Sequence, residues 1–221
     1  GAHLLEYTNT FILSSALTFF LPAMFWMVLK EKFIKAYLSV RYKQEIYRFK
    51  YNGNVFNSLL NQQKLIIPTD GLGIILGDEH SKKIIITVSN PYCGACSEAH
   101  PIINDILEKN KDIKVQIIFS GHSRYDNDMG TVPVKHFMAL YEKDKIMAKG
   151  ALDYWHNLEV KNYEDFTKKY RPDDLLNQQQ EKLIEMKDWC EKMWITHTPT
   201  FFINGRQLPK FYTMEDLQYI L

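Results

Sequence analysis

The stretch NPYCGACSEAHP, Asn90 to Pro101, places Cys93 and Cys96 two residues apart. Thiols at that spacing suit three arrangements: a pair that opens and closes a disulfide, half of a metal site, or two buried neighbours. Disulfide chemistry needs unequal partners, because the thiolate and not the thiol is the nucleophile. Cys93 falls where a strand pattern ends and a helix pattern begins, and the free N–H groups and dipole of a helix N-terminus stabilise a thiolate. It is therefore expected to be the more acidic and more exposed sulfur. Cys96, one turn into the helix, is placed to attack a mixed disulfide formed at Cys93 and release its partner. A zinc site needs a second pair of ligands, and only Cys190 and scattered histidines remain for one. A C-x-x-C beside a strand–helix–strand pattern is itself a redox signature, which weighs against coincidence.

The elements that must hold this pair are legible on both sides of it. KKIIITVS, Lys82 to Ser89, is a continuous β-branched run of the buried-strand type. A helix follows with Ile102, Ile103, Ile106 and Leu107 as its apolar stripe, and IKVQIIFS, Ile113 to Ser120, reads as the next strand. Strand, helix, strand in this order is a βαβ unit with a parallel pair. Upstream, KLIIPTD and GIILG read as short strands. Downstream, residues 133–193 read as helical with breaks near Gly150, Asn162 and Arg171-Pro172. Thr200 to Ile203, the Asn204-Gly205 turn and Gln207-Leu208 form a hairpin signal. A last helix begins at Thr213, with Asp216 three residues later in the capping position.

The N-terminal part is different. Residues 10–29, TFILSSALTFFLPAMFWMVL, contain no charge over about 20 residues, the length that crosses a bilayer as a helix. A buried helix of a larger bundle is the alternative, and Pro22 dilutes the apolar signal. The helical pattern runs on as an amphipathic stalk to Asn52-Gly53, with Phe33, Ile34, Tyr37, Leu38, Tyr42, Ile46 and Tyr47 near 3.6 spacing. Its aromatic stripe reads as packing, or as a seam for a homo-oligomer. Lys30, Lys32 and Lys35 follow the apolar run, and the positive-inside bias would set that side in the cytoplasm. Residues 1–52 are thus expected to be a membrane helix and stalk, and residues 53–221 a separate domain with a helical insertion over about 131–193.

Composition narrows the function classes. The 221 residues are 46% hydrophobic, enough to bury a core, and carry 27 basic against 26 acidic side chains for a net charge of +1. Such a balance lacks the basic footprint of a nucleic-acid binder. Three cysteines cannot form a disulfide framework, and their odd count leaves one outside any intramolecular pair. Gly1 and Ala2, without an initiator Met, resemble residues left by an expression tag, so the natural chain is expected to begin upstream.

Taken together, these residues resemble the thioredoxin superfamily from about Lys64 to Leu221. Cys93-Gly94-Ala95-Cys96 is similar to its active-site motif, with Ala95 in place of the commonest proline. Pro101 matches the proline of its active-site helix, and Thr198-Pro199-Thr200 resembles its cis-proline loop. The resemblance implies an α/β thioredoxin-like fold, with Thr198, Pro199 and Tyr92 contacting substrate and no metal or organic cofactor. The long helical insertion is similar to the DsbA-like branch. More narrowly, WCEKMWITHTPTFFINGRQLP followed by YTMEDLQYIL resembles the thioredoxin-like domain fused to bacterial vitamin K epoxide reductase homologues. That likeness implies a partner membrane domain with a quinone-linked oxidase, and a thioredoxin-like domain outside the cytoplasm, against the charge bias. One departure is plain: where the family often buries an Asp or Glu for proton transfer, this chain has Thr87.

The expected activity is thiol–disulfide exchange with substrate proteins, relayed to such an oxidase. A disulfide reductase or isomerase is the nearest alternative, and a peptide-binding module with idle cysteines the one from another class. Cys190, on a stripe with Leu183, Met186, Trp189, Met193 and Trp194, is expected to be a buried structural thiol. His100 is expected at the surface of the active-site helix rather than tuning the pair, and His197 stands evenly between a groove and an ordinary loop. Residues 121–130, GHSRYDNDMG, read as a solvated loop.

Overall fold

A computed structural model describes residues 2–120, 130–171 and 174–221, with side chains from residue 11 onward except at 174. The chain divides into two compact units, Gly1–Asn52 and Gly53–Leu221.

The first unit is a single helix, α1 (Ala2–Lys50). Its segment Phe11–Lys50 has a most apolar window of mean hydropathy 1.9, none of it buried, so by length and composition it suffices to cross a membrane. Ser14 and Thr18 do not interrupt it, because their hydroxyls donate to the carbonyls of Phe11 and Ser14 within the helix. Pro22 is likewise carried inside the helix.

The second unit begins with a short helix, α2 (Gly53–Asn61), which buries Phe56 and Leu60. KLII does not form a strand; of these residues only Leu65 makes a bridge, to Arg206. The sheet comprises β1 (Ile74–Gly77), β2 (Lys83–Ser89), β3 (Ile113–Phe119), β4 (Thr200–Ile203) and β5 (Arg206–Gln207). Its order is β1-β3-β2-β4-β5, with only β2 and β3 parallel. The helix α3 (Gly94–Lys109) connects that parallel pair, as the βαβ pattern requires. The central β2 and β3 bury the run Ile85, Ile86, Val88, Val115, Ile117, Ile118 and Phe119, which is why both read as unbroken apolar stretches. The β4–β5 turn places Asn204 and Gly205 at φ of 48° and 79°, the left-handed pair that a two-residue hairpin demands.

Between β3 and β4 lie α4 (Thr131–Lys143), α5 (Lys145–Asn157), α6 (Tyr163–Lys169), a 3₁₀ turn (Asp174–Gln179) and α7 (Gln180–Lys192). The expected break at Gly150 falls instead at Asp144, whose carboxylate accepts from the N–H groups of Ile146 and Met147 and starts α5. Gly150 sits inside α5, where a Cβ would lie 3.4 Å from the Tyr170 hydroxyl. Asn162 does end one helical run and cap the next, accepting from Glu164 and Asp165. Of the expected loop 121–130, only Gly130 lies among the described residues, and Pro172 lies outside them. The chain closes with α8 (Met214–Leu217), where the Thr213 N–H donates to Asp216 Oδ2 at 2.7 Å. This is the α/β thioredoxin-like arrangement, with helices packed against a mixed sheet.

Candidate active site

β2 ends at Ser89 and α3 starts at Gly94, so the cysteine pair is delivered to the carboxyl end of the central strand. Asn90 Oδ1 accepts the Tyr92 N–H at 2.9 Å and the Asn90 carbonyl accepts the Cys93 N–H at 3.0 Å. These short-range bonds turn the chain. A long-range one fixes it: the indole of Trp155, fully buried on α5, donates to the Pro91 carbonyl at 2.8 Å. Tyr92 packs edge-on against that indole, with ring centroids 5.5 Å apart, and its phenol is raised by burial.

Cys93 is the N-cap of α3 and is partly exposed; Cys96 is buried, and both are free thiols. Partial burial pushes the Cys93 thiol up. Hydrogen bonds from the Thr198 and Cys96 side chains and from the backbone of Cys96 and Ala95 outweigh it, and the net direction is down. Burial pushes Cys96 up, and its hydrogen bond to Cys93 adds to that direction. The two sulfurs therefore differ in the sense that exchange chemistry needs: the exposed one is the better thiolate.

The Thr198–Pro199 peptide is cis, and the Thr198 carbonyl accepts the Cys93 thiol at 3.3 Å. The structure thus brings Cys93, Cys96, Thr198 and Pro199 together, with Tyr92 beside them. Two open cavities flank the Thr198–Pro199 edge. One, of about 410 Å³, is lined by Asn90, Lys187, Cys190, Glu191, His197 and Thr198. The other, of about 320 Å³, runs past Pro199 with Phe201, Leu208, Tyr212 and Met214 along it.

Cys190 is buried, and burial pushes its thiol up to about 12, which removes it as a nucleophile near neutral pH. Trp194 departs from its expected stripe: it lies beyond α7 with φ of 57° and is 81% exposed. His197 is exposed and lines the larger cavity. His100 overturns its expectation, being only 3% exposed. Its Nε2 lies 2.7 Å from Asp153 Oδ1, and its ring stacks on His156 with centroids 4.5 Å apart. The signal for that burial is the carboxylate on α5, 53 residues away, which pairs an otherwise costly polar group. Asp153 and His156 are site residues that the sequence did not single out. Among the described residues, no group of three or more His, Cys, Asp or Glu side chains is arranged to hold a metal ion.

The thioredoxin family profile matches residues 69–221. No curated protein sequence matches the chain. Among solved structures, a periplasmic thioredoxin-like protein from Salmonella enterica serovar Typhimurium aligns with TM-score 0.58 at 14% identity, over 76% of this chain and 94% of that one. BdbD from Bacillus subtilis aligns with TM-score 0.55 at 13% identity, over 71% and 94%. The thiol-disulfide exchange protein alpha-DsbA2 from Wolbachia pipientis aligns with TM-score 0.54 at 14% identity, over 80% and 94%. At these identities the likeness is one of fold.

Proposed function

This chain belongs to the thioredoxin family, and from that premise we propose that it is a thiol–disulfide oxidoreductase acting on the thiols or disulfides of other proteins. The observation that carries the proposal is the unequal pair at the start of α3: a partly exposed sulfur lowered by its hydrogen bonds, backed by a buried one raised by burial. Cys93 exchanges with the substrate sulfur. Cys96 then displaces the substrate from the mixed disulfide. The Thr198 backbone and Pro199 form the edge along which an extended substrate peptide lies, with Tyr92 at its side, and the two flanking cavities take residues on either side of the reacting cysteine.

The finer reading is a domain held outside the cytoplasm on α1 as a membrane anchor, passing electrons to a quinone-linked oxidase domain of the vitamin K epoxide reductase type. The apolar run of α1 and the description of the Salmonella neighbour as periplasmic support the location. An exposed apolar helix also suits association of several copies, which crosslinking in lipid resolves. No metal or organic cofactor enters the scheme.

The decisive experiment is the reduction potential of the Cys93–Cys96 pair against glutathione, with insulin reduction and a Cys93→Ser control. A value between about −120 and −180 mV marks an oxidase or isomerase, and one near about −270 mV a reductase. A pair that never interconverts between dithiol and disulfide overturns the proposal and leaves a peptide-binding module.

A further inference from the structure

Cys96 presents a chemical problem. Its attack on the mixed disulfide requires the thiolate, yet burial holds it as the thiol. The residue that would take its proton in many thioredoxin-like proteins is here Thr87, which has no basic group. Thr87 and Cys96 nevertheless line a small cavity of about 10 Å³ together with Ser89, Ala99, His100, Ile103, Ile117, His156 and Pro199. That volume is roughly one water position.

His100 is on α3 four residues after Cys96, so the two side chains occupy one helix face about 5–6 Å apart at Cβ. Asp153 fixes the imidazole from the far side through Nε2 at 2.7 Å, leaving Nδ1 as the basic nitrogen. The carboxylate is itself anchored: Asn104 Nδ2 donates to Oδ1 at 2.8 Å, and Lys149 Nζ donates to Oδ2 at 2.8 Å. A carboxylate that fixes an imidazole lining the same cavity as a thiol matches the arrangement by which a weak nucleophile is activated, a base held by a third group. Resting on the exchange activity argued above, we propose that His100, oriented by Asp153, carries the proton of Cys96 across this cavity and so replaces the missing acid at position 87.

The step balances without an outside reagent. The Cys96 thiol gives its proton to His100 Nδ1, and the Cys96 thiolate attacks Cys93 Sγ. A Cys96–Cys93 bond forms, the Cys93–substrate bond breaks, and the substrate sulfur leaves with the electron pair. The dithiol is oxidised by two electrons and the substrate disulfide is reduced. The imidazolium stays paired with the Asp153 carboxylate, and the reverse path serves oxidation of a substrate.

Other groups around the histidine agree with this role. From α3 and its N-cap come Cys93, Cys96 and Ser97, the last 3.3 Å from His156 Nδ1. From β2 come Thr87 and Ser89. From α5 come Lys149, Asp153 and His156. Burial pushes His156 down to about 3, so the ring stacked on His100 stays neutral and does not repel a proton there. After α5, the Lys161 ammonium is taken up by the carbonyls of Trp155, His156 and Leu158. Burial raises the Tyr170 phenol, and the Asp153 charge adds to that direction.

The test is rapid mixing of the reduced full chain with dithiobis(nitrobenzoate). Attack by Cys93 releases one thionitrobenzoate in a bimolecular phase. Attack by Cys96 releases the second in a phase independent of reagent concentration, identified by its loss in Cys96→Ser. With a relay, the wild-type second phase is nearly flat with pH over the neutral range, because the proton moves within the protein. In His100→Gln it falls roughly a hundredfold at pH 7 and regains a tenfold rise per pH unit, meeting the wild type in alkali. Asp153→Asn keeps the imidazole and falls partway. A wild-type second phase that already rises tenfold per unit overturns the relay and needs no variant to fold. A uniform loss in His100→Gln at every pH overturns it too. If the wild type releases only one equivalent at every pH, the redox reading itself fails and the relay with it.

Discussion

The most quantitative expectation concerns acid. His156 is buried on α5, and burial pushes its imidazole down to about 3, against an ordinary value of 6.5. A base whose folded value is depressed contributes stability above the unfolded value, and that stability is lost as pH falls below about 6.5. Between pH 7 and pH 5 the unfolded imidazole goes from about a quarter protonated to almost fully protonated while the folded one stays neutral, which by linkage removes about 2 kcal/mol of stability. That is a large share of the roughly 5–15 kcal/mol a native domain has. Asp153 does not confuse this window: hydrogen bonds from His100 and Lys149 outweigh burial and hold its carboxyl far below the usual range, so its contribution is lost only below about pH 4. His136, pushed down to about 4 by burial, acts in the same sense. It does so equally in wild type and variant. The assay is urea unfolding followed by tryptophan fluorescence at several values between pH 5 and pH 8, for wild type and His156→Gln. The variant's intercept is irrelevant; its slope with pH should be shallower, by about 2 kcal/mol across the window. Parallel lines would refute the argument that His156 is held neutral by burial.

Further expectations follow from the site and the sheet. Iodoacetamide at neutral pH should label Cys93 first and Cys190 last, since moving a thiol from 9.0 to about 12 cuts its thiolate fraction roughly a thousandfold; peptide mass mapping over time reads the order, and early Cys190 labelling would refute it. Trp155→Phe leaves the Pro91 carbonyl without its indole donor and should cost about 1–3 kcal/mol, with slower Cys93 alkylation if the loop loses its shape. At Gly73, φ of 66° combines with a Cβ that would lie 1.9 Å from the Ile117 carbonyl oxygen, whereas Gly71, at φ of 78°, faces open space. Gly71→Ala should therefore cost about 1–2 kcal/mol and Gly73→Ala distinctly more, both read as denaturation midpoints; equal losses would show that the β1 edge yields to the methyl.

Local signals carried most of the fold. β2, β3 and the β4–β5 hairpin were legible because each announces itself through continuous β-branched residues or an Asn-Gly turn. Thr213 marked a helix start and Asn162 a break between helices, because capping and helix breaking are properties of a few adjacent residues. What failed depended on distant partners. KLII has strand composition, but its neighbours on the edge offer it only the bridge at Leu65. The helix α2 was passed over because GNVFNSLLN is short and buries only Phe56 and Leu60. Gly150 looked like a break because glycine weakens a helix, yet α5 runs through it, started by the Asp144 cap six residues earlier. At the site, Cys93 and Cys96 were legible by spacing. The surroundings of His100 were not, because nothing in residues 94–109 says that Asp153 will face them.

The bond from Trp155 to Pro91 spans 64 residues, and that from Cys93 to Thr198 spans 105. Both partners of the cysteine loop are therefore synthesised long after the cysteines themselves. During translation, Cys93 emerges as an ordinary thiol on an unshaped chain, with neither the buried indole behind it nor the Thr198 edge in front. Its distinctive reactivity arises only once α5 has folded and β4 has been added, so the growing polypeptide does not carry a working exchange centre until Thr198 and the strand after it have been made.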